Sequence, residues 1–170
     1  DIKLGDCVEK VMTVLFLDIK SFTTMAELLS SVEIFNLVNN LMSYLDPVIV
    51  KNSGFIDKYI GDALMALFDD ADSALAAALG MLEGLNEFNA ARKRDNLAPL
   101  NVGIGINTGL LTVGTVGFES RMDCSVISDA VNIASRVESL TRNFNIELLI
   151  SGQTYQQLKY VEISQNLVSF

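Results

Sequence analysis

Two apolar stretches, Phe55–Ile60 and Ala63–Phe68, are separated only by Gly61 and Asp62; a long helical repeat precedes the first and another follows the second. A Gly-Asp pair between two strand-forming runs predicts a tight hairpin, which commits this part of the chain to adjacent antiparallel strands. In the repeat before it, Val32–Val50, the residues Ile34, Val38, Leu41, Leu45 and Val48 recur at helical spacing. Phe35, Met42 and Ile49 widen that stripe, so the helix is expected to pack on something large. The repeat after it runs from about Asp70 to Asp95, with Ala71, Leu75, Ala78, Leu82, Leu85 and Phe88 as its buried face. Acids open it and Arg92, Lys93 and Arg94 close it, the polarity a helix dipole favours.

The remaining segments fit around this centre. Val11–Leu17 is a nearly unbroken apolar run ending at Asp18 and predicts a strand buried on both faces. Ser21 or Thr23 is expected to cap a short helix after it. Val102, Ile104 and Ile106 alternate with Gly103 and Gly105, a strand whose other face admits close backbone approach. Thr108-Gly109 is expected to turn into a further strand, Leu110–Val116, followed by an irregular stretch. Asp129–Thr141 then predicts a helix, Glu147–Ile150 a strand and Gln153–Leu158 a short helix. The order β-α-α-β-β-α-β-β-α-β, with a central hairpin, points to an α+β sandwich on a ferredoxin-like βαββαβ core, its helices gathered on one face. The 170 residues are read as one domain, excerpted from a longer multidomain protein.

The net charge of −9, from 12 basic and 21 acidic residues, argues against a nucleic-acid partner, because such binding depends on Lys and Arg neutralising phosphates. The same acidity disfavours a polyanionic substrate unless cations accompany it. The chain has no histidine, and Cys7 and Cys124 form no metal-binding pattern. Zinc sites, Ser-His-Asp triads and Cys-His dyads are therefore excluded. The two unpatterned cysteines suit a reducing, cytoplasmic setting. No apolar run approaches the roughly 18 residues of a membrane span, so no direct membrane contact is expected.

Two acids stand out. Asp18 ends a buried strand and Asp62 sits at a hairpin tip. In a ferredoxin-like sheet the first strand lies beside that hairpin, so both carboxylates can meet at one sheet edge. Such a pair forms a hard-oxygen site suited to Mg²⁺. The helix start after Asp18 offers N–H groups to a phosphate. Two metals bridged by a triphosphate would stabilise both the attacking and leaving oxygens of an in-line displacement. Taken alone, each aspartate reads more readily as a turn or cap residue than as a metal ligand.

The strings FLDIKSFT (Phe16–Thr23) and DKYIGDALMALF (Asp57–Phe68) resemble the two metal-site signatures of class III adenylyl and guanylyl cyclases. SVISDAVNIASRVE (Ser125–Glu138) resembles the transition-state segment of the same family. The resemblance implies the class III cyclase fold and an adenylate cyclase making 3′,5′-cyclic AMP and pyrophosphate from ATP. It also implies a head-to-tail homodimer with active sites at the subunit interface, each holding two Mg²⁺ or Mn²⁺ ions. Asp18 and Asp62 would bind the metals with the Ile19 carbonyl, and the backbone of Ile19, Lys20, Ser21, Phe22 and Thr23 would cradle the triphosphate. From the other subunit, Lys58 would contact adenine with Ser125 as its partner, Asn132 would orient the ribose and Arg136 would stabilise the reacting phosphate.

The residue types suit these roles. Asn132 and Arg136 share one helix face, opposite an apolar set of Ala130, Ile133, Ala134, Val137 and Leu140. Adenine N1 accepts a hydrogen bond, so an ammonium at Lys58 favours ATP, whereas guanine would call for a carboxylate. The chain departs from the family at Gly103, where many members have an Arg that supports the phosphates. It departs again at Ser128, where Gly is frequent, and no lysine in a matching context follows the last helix. The Ser128 change is tolerable; Gly103 and the missing lysine imply thin triphosphate anchoring and weak activity. A guanylate cyclase and a catalytically weak regulatory or dimerisation domain are the alternatives. A diguanylate-forming relative is disfavoured, since its GGDEF-type signature is absent.

Overall fold

The structure, a computed structural model, describes residues 7–118 and 121–159, with the backbone alone for 115–118, 121–125 and 127. The elements in chain order are β1 (Cys7–Ile19), α1 (Phe22–Ala26), α2 (Ser31–Lys51), β2 (Phe55–Ile60), β3 (Ala63–Phe68), α3 (Ala71–Arg94), β4 (Val102–Phe118), β5 (Arg121–Ile127), α4 (Asp129–Phe144), β6 (Leu148–Ile150) and α5 (Gly152–Gln157). The strands form one sheet in the order β2-β3-β1-β4-β5, antiparallel throughout, and β6 joins parallel to β4. The α+β, ferredoxin-like class is what the sequence predicts. So is the hairpin, with β1 lying directly beside its second strand.

The period-two alternation of the strands divides the core. Leu15, Leu17 and Ile19 of β1, with Leu64, Ala66 and Phe68 of β3 and Val102, Ile104 and Ile106 of β4, pack beneath Leu41, Leu45 and Ile49 of α2 and Ala74, Ala78 and Met81 of α3. Met12, Val14, Met65, Leu67 and Leu111 point the other way, against Ala130 and Ala134 of α4. Burying each large aliphatic side chain contributes about 1.5–3 kcal/mol, so both faces hold the sheet. The expectation that the helices gather on one face is therefore corrected: α4 covers the second face. What draws it there is the glycine strip of β4. A Cβ on Gly109 would lie 2.7 Å from the Ala130 Cβ, and one on Gly105 would lie 2.7 Å from the Ala134 carbonyl oxygen. Small residues on both sides let helix and sheet backbones approach closely.

The same strip corrects the expected turn at Thr108-Gly109. β4 runs through it without a break, pairing Thr108 with Thr13 and Gly109 with Met12. Here the glycine serves close packing. The stretch read as irregular contains β5, a strand of mixed polarity with no apolar alternation to betray it. Two helical faces are also rotated from expectation. In α2, Leu37 is buried while Phe35 is 70% exposed, and in α4 Glu138 and Thr141 are buried while Leu140 is 42% exposed.

Caps fix the helix starts. Ser30 and Glu33 form a reciprocal capping box at α2, and Asp70 accepts from the Ser73 N–H at α3. Ser21 precedes α1 with φ of 58°, in the left-handed region, and makes no side-chain cap. No helix among the described residues is long and apolar enough to cross a membrane.

Candidate active site

The end of β1 and the tip of the β2–β3 hairpin meet. Leu17 pairs with Leu64, so the next step along each strand brings Asp18 and Asp62 to the same sheet edge. Gly61, at φ +65°, supplies the left-handed residue of the tight turn that leads into Asp62. The two carboxyls lie close enough to share a hydrogen bond. Partial burial, that hydrogen bond and the Asp18 charge push the Asp62 carboxyl up from 3.8 to about 6; its own backbone N–H and the Arg142 charge pull the other way.

The folded chain thus holds this proton more tightly than the unfolded chain does. The stability contributed by Asp62 is complete below pH 3.8 and is lost as pH rises through about 6. Thermal melts in metal-free buffer should show this decline for the wild type and a flatter profile for Asp62→Asn. Equal slopes for the two proteins between pH 4 and 6 would contradict the coupling.

The second face of the sheet brings α4 to the same place. Asp18 pairs with Gly103 of β4, and a Cβ on Gly103 would lie 2.7 Å from Glu138 Oε1 and closer still to Thr141 Oγ1. An arginine at this position would have to displace the Glu138 and Thr141 side chains. Glu138 is 6% exposed, and its Oε1 has no hydrogen-bond partner among the described residues. Burial first, then the Asp18 charge, raise its carboxyl above the usual range, against the opposing pull of Arg142, Ser139 and Lys20. From the last turn of α4, Arg142 Nη2 donates to Asp18 Oδ2.

Lys20 braces this corner. Its Nζ donates to the Ile146 carbonyl at 2.7 Å and its backbone N–H to the Asn101 carbonyl at 2.8 Å. The Lys20 N–H and ammonium are thus both engaged within the chain. Ser21, Phe22 and Thr23 stand at the open start of α1, where a helix leaves its first N–H groups without intrahelical acceptors.

The described residues contain no group of three or more His, Cys, Asp or Glu side chains that could hold a metal ion. Two carboxylates, with the Ile19 backbone between them and α1, still fit a hard cation. Mg²⁺ keeps several waters and binds through one or two carboxylates plus substrate phosphates, without an all-protein cage.

The other expected residues stand apart from this edge. Asn132 and Arg136 are exposed on α4. Asn132 lies ten residues before Arg142, about 15 Å along the helix. Lys58 is exposed on β2, which lies beyond β3 and so about 10 Å from β1 across the sheet. The register slips between Ile56 and Lys58, a bulge at Asp57 that re-aims the strand, and the Asp57 carboxylate lies 3.1 Å from Lys58 Nζ. The Ser125 backbone pairs with Gly114, and its side chain lies outside the described residues.

Sequence reasoning missed Glu138, Arg142 and Asp57. Glu138 and Arg142 carried a signal as an acid–base pair four apart near a helix end, which reads as an ordinary surface pair until Gly103 and Gly105 are known to lie beneath it.

The chain matches the adenylate and guanylate cyclase catalytic domain family over residues 7–169. An adenylate cyclase of Anabaena cylindrica is 44% identical over 168 residues, covering 95% of this chain but only 34% of that protein. The chain thus spans about a third of that relative. The solved adenylyl cyclase CyaB from P. aeruginosa superposes with a TM-score of 0.81 at 33% identity, covering 91% of this chain and 83% of that one. The solved guanylyl cyclase Cya2 superposes with a TM-score of 0.80 at 32% identity, covering 91% and 80%. With the aspartate pair at the sheet edge and the family match running almost end to end, the chain belongs to the adenylate and guanylate cyclase catalytic domains.

Proposed function

We propose that this chain is an adenylate cyclase catalytic domain that converts ATP to 3′,5′-cyclic AMP and pyrophosphate at a head-to-tail homodimer interface. One observation carries the reading: Asp18 and Asp62, distant in sequence, converge at one sheet edge, close enough to share a hydrogen bond. In the reaction the ribose 3′-oxygen loses its proton and bonds to the α-phosphorus, and the bond from that phosphorus to the bridging oxygen breaks, releasing pyrophosphate. Two Mg²⁺ or Mn²⁺ ions at Asp18, Asp62 and the Ile19 carbonyl would neutralise charge on the attacking and leaving oxygens. Ser21, Phe22 and Thr23 receive the phosphates at the start of α1.

The dimer follows from what a single chain leaves separated. Asn132 and Arg136 on the exposed face of α4, and Lys58 on the outer strand β2, serve a partner's aspartate pair more readily than their own. Phe35, Val32, Tyr59 and Ile60 are half or more exposed, an apolar allowance for such an interface. Arg136 supplies a forked, permanently charged donor to the reacting phosphate, and Asn132 orients the ribose. The setting is cytoplasmic and reducing. Purified protein given ATP or GTP with Mn²⁺ should yield mainly cyclic AMP; no cyclic nucleotide from either would sink the reading.

Base choice rests on Lys58 with Ser125. The fold does not choose, since adenylyl and guanylyl cyclases superpose on it equally well. An ammonium donates to adenine N1 but meets the N1–H of guanine as donor against donor. Lys58→Glu should lower kcat/KM for ATP by about 10–100-fold, the loss of a charged hydrogen bond, and shift the product ratio towards cyclic GMP. An unchanged ratio would remove Lys58 from base recognition.

A further inference from the structure

Arg142 has no part in the roles above, yet it contacts the central aspartate. Its side chain is 52% exposed, while that of Asp18 is 22% exposed. The helix backbone beneath it is fixed. Thr141 is fully buried and Glu138 nearly so, and a Cβ on Gly105 would fall 2.5 Å from the Glu138 Cα, so this turn of α4 lies directly on β4. The half-exposed guanidinium has solvent to swing into. The neighbouring cation, Lys20, is committed to the Ile146 carbonyl.

An ordinary surface ion pair would not need this placement. Glu138 lies one helical turn before Arg142, the usual spacing for a pair on one helix, yet the guanidinium crosses to the end of β1 and donates to Asp18. The oxygen it takes is one of the two through which Asp18 would hold a cation. A guanidinium and a divalent ion cannot share that oxygen without strong repulsion. A polyphosphate can accept the guanidinium in a forked hydrogen bond.

The geometry points to Arg142 as an exchangeable counter-ion: it competes with the divalent cation for Asp18, and a polyphosphate that accepts its guanidinium frees the carboxylate for the metal. This rests on the reading of Asp18 and Asp62 as the metal pair. It makes cation and nucleotide binding mutually reinforcing, because a coupling between two ligands is reciprocal. Such a device disfavours idle loading of the site by metal alone.

The test measures Mn²⁺ binding by electron paramagnetic resonance on the full chain, with no turnover required. Mn²⁺ alone should bind Arg142→Gln roughly fivefold more tightly than wild type, the fold-change that a solvent-screened ion pair of about 1 kcal/mol corresponds to. Adding the unreactive analogue α,β-methylene ATP should tighten Mn²⁺ binding in wild type and tighten it less in the variant. Arg142→Lys, which keeps the charge but loses the fork, should fall between the two and carries the test if Arg142→Gln does not fold. Equal or weaker Mn²⁺ affinity in a folded Arg142→Gln, or an analogue effect as large as in wild type, would overturn the inference while leaving the metal pair intact. Mn²⁺ binding that Asp62→Asn leaves untouched would overturn the metal assignment and this inference together.

Discussion

Asp62→Ala should lower cyclic AMP formation by about a thousandfold or more while the melting temperature holds or rises. The first half follows from the site's short donor list. Asp18 and Asp62 are the pair that would hold the cations, so removing one leaves a single side-chain ligand of that pair to support the ions that would balance charge on the attacking and leaving oxygens, and such electrostatic stabilisation is commonly the largest catalytic contribution. The second half follows from the raised Asp62 carboxyl: ionising it beside Asp18 costs the folded chain something at neutral pH, and alanine removes that cost. Arg136→Ala should be weaker but severe, at about 100–1,000-fold, as for removal of one charged donor at a reacting phosphate.

Mixing the two inactive proteins gives the sharper result. In a head-to-tail dimer each site takes its aspartates from one protomer and Arg136 from the other. A mixed dimer therefore concentrates both defects in one site and leaves the other whole. If half the dimers are mixed after exchange, about a quarter of the wild-type sites should be restored. Activity that stays at the level of the separate variants, with both proteins dimeric by light scattering and subunits shown to exchange, would contradict the shared-site arrangement.

The aspartate pair was legible because each member ends a local pattern: an unbroken apolar strand for Asp18 and a Gly-Asp hairpin tip for Asp62. Only the β1–β3 neighbourhood had to be supplied from the fold class. What failed to read was non-local. β5 carries Asp123, Cys124 and Ser125 in a polar run, and its strand character comes from pairing with the end of β4. Thr108-Gly109 looked like a turn because Gly is ambiguous between bending a chain and admitting a neighbour; only the position of Ala130 decides it. The burial of Glu138 and Thr141 left no local signal, because charge and hydroxyl are usually solvated and their burial needs the missing Cβ atoms of a distant strand. Phe35 failed in the opposite sense, an apolar residue at helical spacing left in the open, where an interface would cover it. Arg142 was invisible for the same reason as Glu138: its partner is fixed by how closely α4 descends, which no spacing within α4 encodes.

That descent can be tested at Gly105. An added methyl there would fall within 2.5 Å of the Glu138 Cα, 2.7 Å from the Ala134 carbonyl oxygen and closer still to the Glu138 nitrogen. All three are backbone atoms of one helix, so no rotamer change relieves the clash and α4 must lift from the sheet. Gly105→Ala should therefore cost about 3 kcal/mol, the upper end for overpacking, and lower the melting temperature by about 6–12 °C for a domain of this size. Gly152→Ala is the control, because nothing lies within 4 Å of a Cβ there and the change should be close to neutral. Gly80→Ala meets only the Val48 Cγ1 at 2.8 Å, a side-chain atom that can yield, and should fall between the two. The same displacement should reach the chemistry. α4 carries Arg142 to Asp18 at one end and holds Asn132 and Arg136 along its exposed face, so Gly105→Ala that remains folded at 20 °C should still lose most of its cyclase activity. A Gly105→Ala protein that melts with wild type would mean that α4 does not rest on β4, and every role assigned to that helix would lose its positional basis.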